Sequence, residues 1–286
     1  RREKISMMNP ENNVLYYPSV NTSVILSEAF AMPEYVNYAK IRGSWGMVGN
    51  YPNIYQSAIS YTQGTLGDQG NGSSVIYTMI PTSAFGNFGI KPETKHEIEF
   101  GLETRLFNNR LGLDVTYYNG QIRDQILDLS LPISSGSSSI LANVGTLRNK
   151  GWEFAINGGI ISNDNFKWNS TLNFSFNRNT VEKLTGKTDE LVHRFIDGDA
   201  AKIVSRIGEP LGDIYARPVL TNENGEKVVG SNGLYVLDNT QYVKVGNALP
   251  KTTGGFINSF SYKNFTLDAL IDFRWGGHMM PTGINW

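Results

Sequence analysis

TKHEIEFGLETRLF (94–107), answered after a two-residue turn by RLGLDVTYYNG (110–120), is the stretch that decides the fold. His96, Ile98, Phe100, Leu102, Thr104 and Leu106 are mostly apolar, while Lys95, Glu97, Glu99, Gly101, Glu103 and Arg105 are charged or glycine. Successive strand side chains point to opposite faces, so this is a strand with one oily and one wet face. Asn108-Asn109 reads as the turn, because Asn tolerates positive φ in a tight hairpin. In the returning strand Leu111, Leu113, Val115 and Tyr117 share one face; Gly112, Asp114, Thr116 and Tyr118 share the other. Fourteen residues at about 3.3 Å each reach roughly 45 Å, whereas ordinary strands run to about 5–6 residues. Long two-faced strands are what a membrane-crossing barrel requires.

Working outward, the same pattern recurs at 13–30, 36–49, 151–161, 166–179, 252–262 and 265–275, which makes eight strands with the central pair. Ala39, Ile41, Gly43, Trp45 and Met47 oppose Lys40, Arg42, Ser44 and Gly46. Phe265, Leu267, Ala269, Ile271, Phe273 and Trp275 line up, although Asn258 and Leu270 sit on the wrong faces of the last hairpin. Connections alternate between short (31–34, 108–109, 162–165, 263–264) and long (50–92, 125–149, 180–250). Loops of ~40–70 residues do not suit a compact soluble domain. The expected fold is all-β: an antiparallel transmembrane β-barrel, about eight strands of a larger one, with short periplasmic turns and long extracellular loops. Tyr35, Tyr38, Phe107, Phe166, Trp168, Tyr262 and Phe265 fall near the short turns, and Trp45, Tyr117, Tyr118, Phe176 and Trp275 toward the long ones. Two interfacial aromatic girdles are expected from them. The competing expectation is a surface-exposed β-sandwich that binds glycans in adhesion, which predicts shorter strands and loops.

Composition agrees without deciding. The 286 residues carry a net charge of −1, 12% aromatics and no cysteine, so neither nucleic-acid binding nor thiol chemistry is indicated. Mean hydropathy is −0.28, and no apolar run approaches the ~18 residues of a membrane helix. A barrel strand hides its apolar residues at every second position. RREKISMMNP lacks the apolar segment of a signal peptide. Both ends read as cuts, so residues 1–286 are expected to be one partial barrel domain, without plug domain, early strands or final strands.

No catalytic constellation is visible, and no cofactor or metal is called for. His96, His193 and His278 have no metal-ligand spacing, and Ser135-Gly136-Ser137 is not a nucleophile elbow. Asp197-Gly198-Asp199 resembles a fragment of a Ca²⁺ loop but lacks further spaced acids, and reads as a solvated turn. Asn222-Glu223-Asn224-Gly225 reads as a hairpin turn. The wet faces hold Lys40, Arg42, Glu97, Glu99, Glu103, Arg105, Glu153, Asp268, Asp272 and Arg274, together with Lys95 and Lys167. In a closed barrel these are expected to face the lumen, since charges near mid-membrane on the lipid face cost about 2–4 kcal/mol for Arg or Lys. They would line a solute path, contact a plug, or form cross-strand ion pairs. Tyr51, Tyr55, Tyr61 and Tyr77 in the first long loop, and Tyr215, Tyr235 and Tyr242 in the third, are the expected ligand or partner contacts. Aromatic rings stack on sugars and pack on proteins alike.

Several stretches resemble, in order, the C-terminal part of the barrel of SusC/RagA-like TonB-dependent outer-membrane transporters of Bacteroidota. They are YPSVNTSVILSEAF, YAKIRGSWGMVGN, KPETKHEIEFGLETRLFNNRLGLDVTYYNGQIRDQI, NVGTLRNKGWEFAING, FKWNSTLNFSFNRNTVEKL, IGEPLGDIYA and LPKTTGGFINSFSYKNFTLDALIDFRWGG. The resemblance implies a barrel of about 22 strands, the size of plugged outer-membrane transporters. It implies a cell outer membrane location, uptake of oligosaccharides or peptides, energy from TonB through a plug, and a SusD-like surface lipoprotein partner.

Overall fold

A computed structural model describes residues 1–53, 57–58, 62–67, 74–79, 85–137, 139–186 and 189–279. Its centre is a single antiparallel sheet: β1 (Ser19–Ile25), β2 (Val36–Asn50), β3 (Glu93–Leu106), β4 (Leu111–Arg123), β5 (Gly145–Ser162), β6 (Phe166–Leu184), β7 (Thr252–Tyr262) and β8 (Phe265–Trp275). Each strand pairs with its sequence neighbours in an eight-stranded meander. β3, β5 and β6 have 14, 18 and 19 residues, long enough to cross a bilayer at a slant.

The register turns alternation into two faces. Val24, Ile41, Leu102, Val115, Phe154 and Phe174 are successive cross-strand partners on one side. Phe154 stacks on Phe174 at 4.7 Å, and Phe176 meets Phe174 edge-on at 5.6 Å. No second sheet lies over these residues among those described: Phe100 is 59% exposed, Ile271 59% and Trp275 78%. A β-sandwich would bury them, so that expectation is set aside.

Local chemistry sets the short ends. The β3–β4 turn is longer than expected: Phe107, Asn108 and Asn109 all have positive φ, and the Arg110 amide donates to the Phe107 carbonyl. Between β5 and β6, Asn163 Oδ1 accepts from the amides of Asn165 and Phe166. The expected strand at 13–30 divides. Val14–Tyr16 pairs with Arg2–Lys4, Ser19–Ile25 joins the sheet, and Leu26–Ala29 makes one helical turn.

At the other end the long connections are largely folded. Thr62–Gly67 pairs with Ser74–Met79, and Ile126–Ser130 with Ser139–Asn143. Within 180–250, expected to be a loop, β6 continues to Leu184. A four-stranded sheet of Glu190–Ile196, Ala201–Arg206, Asp213–Ala216 and Val243–Asn247 then forms. The turn at 222–225 is present, with Gly225 at φ 80° and Thr221 bridging Lys227. Buried Val144, Leu147, Val181, Leu184 and Leu191 form a core where these loops meet the tops of β5 and β6. A second core of Met8, Ile90 and Leu141 joins the segment before β1 to two later loops.

Candidate functional site

The charged residues singled out in the strands fall together. Arg42, Gly101, Thr116, Glu153, Ser175, Thr253 and Arg274 are successive cross-strand partners across β2–β8. The next row on that face is Lys40, Glu103, Asp114, Ala155, Asn173, Gly255 and Asp272. Glu97, Glu99, Arg105 and Asp268 share this face by two-residue spacing. All ten therefore lie opposite the aromatic face.

The pairing within the face was not readable from spacing. Arg42 on β2 reaches across β3 to Asp114 on β4, with Nη1 donating to Oδ2 at 3.0 Å and Nη2 to Oδ1 at 2.9 Å. Nη2 also donates to Thr116 Oγ1 at 2.5 Å. What makes this reach available is Gly101. A Cβ there would stand 2.3 Å from Arg42 Nε and 2.7 Å from its Cγ, so the guanidinium crosses β3 only over a bare backbone. Tyr118 does the same over Gly151, where a Cβ would meet its hydroxyl at 2.6 Å, and donates to Asn177 Oδ1 at 3.0 Å. Lys95 pairs with Glu97 at 2.6 Å, and Lys40 with Glu103 at 3.9 Å. Arg42, Asp114, Thr116, Glu153, Asn173, Ser175 and Thr253 line one open hollow of about 400 Å³. Asp114 and Thr116, which alternation already places on the wet face, and Asn173 join the charged residues here; the signal that links Arg42 to Asp114 is the glycine between them on that face.

Two aromatics placed in the girdles belong elsewhere. Tyr38 stands two residues before Lys40 in unbroken pairing, so alternation puts it on the charged face, where the Arg105 guanidinium sits 5.3 Å from the ring centre. Tyr118 is on that face as well. Trp168 stays on the apolar face, stacked on Phe260 at 5.6 Å, and its indole donates to Asn258 Oδ1 at 3.0 Å. Asn258, out of place in the sequence pattern, is thus a buried and partnered amide.

The loop tyrosines separate. Tyr55 and Tyr61 lie outside the described residues, as does the side chain of Tyr77. The Tyr51 hydroxyl meets Tyr17 at 3.0 Å, and the ring packs on the Met8 core. Tyr215 is 7% exposed, with Arg206 4.1 Å from its ring centre, so it offers no free face for stacking. Tyr242 donates to Asp199 and lies 4.5 Å from Arg217 and 4.6 Å from Lys202. Tyr235 remains 57% exposed, beside Leu234 at 66% and Val229 at 55%.

The Asp197-Gly198-Asp199 turn is held by an ion pair, Asp199 to Arg217 at 2.5 Å. Tyr242 and Arg217 hold the Asp199 carboxyl below its ordinary range. Among the described residues no group of three acidic, His or Cys side chains could hold a metal ion. His193 Nε2 lies 2.6 Å from Ser205 Oγ, but Ser205 is 1% exposed and out of reach of a substrate. Ser137 is equally buried at 1%.

A meander of long strands, aromatic on one face and charged on the other, with its long folded loops at one end, is the wall of a transmembrane β-barrel. The chain belongs to the family described as TonB dependent receptor-like, beta-barrel, which matches it over residues 12–286, and it is an outer-membrane protein. It is 29% identical to TonB-dependent receptor P26 of Formosa agariphila over 92% of this chain and 28% of that protein. It is 25% identical to TonB-dependent receptor SusC of Bacteroides thetaiotaomicron over 79% of this chain and 24% of that protein. Its fold matches the RagAB peptide importer in the closed-closed state with a TM-score of 0.79 at 22% identity, covering 96% of this chain and 31% of that one. The chain thus spans about a quarter to a third of the length of the proteins it matches.

Proposed function

We propose that this chain is part of the wall of a TonB-energised importer of oligosaccharides or peptides that works with a SusD-like surface lipoprotein. The observation that carries the reading is the single charged face that gathers Lys40, Arg42, Glu97, Glu99, Glu103, Arg105, Glu153, Asp268, Asp272 and Arg274 opposite an aromatic one. With lipid against the aromatic face, the charged face lines the lumen, in contact with solute or plug. Solute enters at the loop end and passes when the TonB-linked plug moves. The chain carries no hydrolytic step in this reading. RagAB is described as a peptide importer and SusC as a TonB-dependent receptor, which supports the class of cargo and the energy source. Of the loop tyrosines, Tyr235 with Leu234 and Val229 presents the exposed apolar tip that a partner protein would cover.

The test is uptake by cells that carry the full-length protein. Labelled oligosaccharides or peptides enter, TonB depletion stops entry, and a surface lipoprotein co-purifies. Entry that persists without TonB would overturn the reading.

A further inference from the structure

The apolar face ends at the loop side in a cluster of cations that the importer reading does not use. Lys150 on β5 and Arg178 on β6 are directly opposed cross-strand partners, two residues above the opposed aromatic pair Trp152 and Phe176 and on the same face. Like charges directly opposite on a sheet repel. Neither residue has a carboxylate partner among the described residues, and both are exposed. Arg148 and Arg123 extend the cluster on the same face. Arg148 pairs with Glu182 and donates to Asn119 Oδ1 at 3.0 Å, while Arg123 donates to Gln121 Oε1 at 2.7 Å. Four cations thus face one carboxylate.

Height decides what meets them. Lys150 lies twelve residues from the end of β5 at Ser162, and Trp152 ten. At about 3.3 Å per residue and a tilt near ~40°, those positions rise roughly 30 and 25 Å. The apolar band of such a barrel is about 25 Å tall. The aromatic pair therefore marks its upper rim, and the cations stand just beyond it, at the headgroups of the outer leaflet.

We propose that Lys150 and Arg178, flanked by Arg148 and Arg123, bind the phosphate of an outer-leaflet glycolipid whose acyl chains lie against the aromatic face. A phosphate relieves the repulsion of the opposed pair and gives the guanidinium a planar, two-point partner. The proposal rests on the aromatic face meeting lipid, but not on any cargo or on TonB.

The experiment uses the full-length transporter in detergent, exposed separately to lipid A, phosphatidylcholine and inorganic phosphate, with bound lipid counted by native mass spectrometry. Lipid A is retained in preference to phosphatidylcholine, and inorganic phosphate does not displace it. The double variant Lys150→Gln/Arg178→Gln loses retention by about tenfold or more, as expected for two basic groups at an anionic surface. Lys167→Gln, on the charged face, leaves retention unchanged. Equal retention by the double variant, no preference over phosphatidylcholine, or displacement by free phosphate would each overturn the proposal. TonB-dependent uptake, measured on the same variants, reports on the importer reading alone.

Discussion

At the scale of single residues, the sheet tolerates a misplaced polar group when a neighbour completes it. Asn258 interrupts the apolar face, yet it is 9% exposed and its carbonyl oxygen accepts from the Trp168 indole. In a site without water, an unpaired amide costs about 1–3 kcal/mol. Trp168→Phe keeps a ring against Phe260 and removes only the donor. It is expected to lower the unfolding free energy of the full-length barrel by that amount in urea titrations in lipid vesicles. In an Asn258→Leu background the same substitution is expected to cost close to nothing, because no acceptor is left to strand. Equal losses in both backgrounds would show that the indole contributes packing and not the hydrogen bond. Gly101 illustrates the opposite device, in which the missing side chain lets Arg42 cross to Asp114.

At the scale of elements, legibility followed periodicity. β7 and β8 run over the 252–262 and 265–275 expected from alternation, and β3 is displaced by one residue from 94–107. Tyr38 and Tyr118 leave the girdles because parity, not nearness to a turn, sets the face: Tyr38 stands two residues before Lys40 and Tyr118 two after Thr116. The four-stranded loop sheet was invisible for a different reason. ELVHRFI (190–196) has a register shift between Val192 and Arg194, and its pairing depends on partners across long loops. Arg42 and Asp114 are 72 residues apart, so only the register brings them together. Beside its buried Ala201, Val204 and Ile214, the loop sheet carries paired charges. Burial works against ionising Glu190, but hydrogen bonds from Lys202 and Arg206 outweigh it and keep the carboxyl below its usual 4.5. Tyr242 and Arg217 lower Asp199, and Thr240 lowers Asp238. A depressed carboxyl stabilises the fold above its unfolded pKa and loses that contribution as pH falls through the folded one. Segment 185–250 is therefore expected to become protease-sensitive as pH drops below 4.5 while the strands stay protected. Glu190→Gln/Asp199→Asn should be cleaved already at neutral pH, with a flatter pH profile. An unchanged profile would move the acid sensitivity to other groups.

At the scale of the whole molecule, everything depends on which face meets hydrocarbon, and two adjacent residues of β6 can ask that question. Phe174 stacks on Phe154 in the middle of the aromatic face, while Asn173 lines the charged hollow with Glu153. The two positions are adjacent on one strand and point to opposite faces, so chain position cancels in the comparison. Phe174→Arg places a guanidinium toward lipid at a cost of about 2–4 kcal/mol. Asn173→Arg adds the same group to a hydrated face beside a carboxylate, where the cost is near zero. Expressed as the full-length protein, the first variant is expected to assemble poorly into the outer membrane and to lose its heat-modifiable band on gels, while the second assembles like the parent. Reversal of that order would turn the sheet inside out and remove the lumen, the girdle and the phosphate site together. Similar damage from both would mean that the two faces do not differ in solvent, and the chain would have to be covered by protein on both sides.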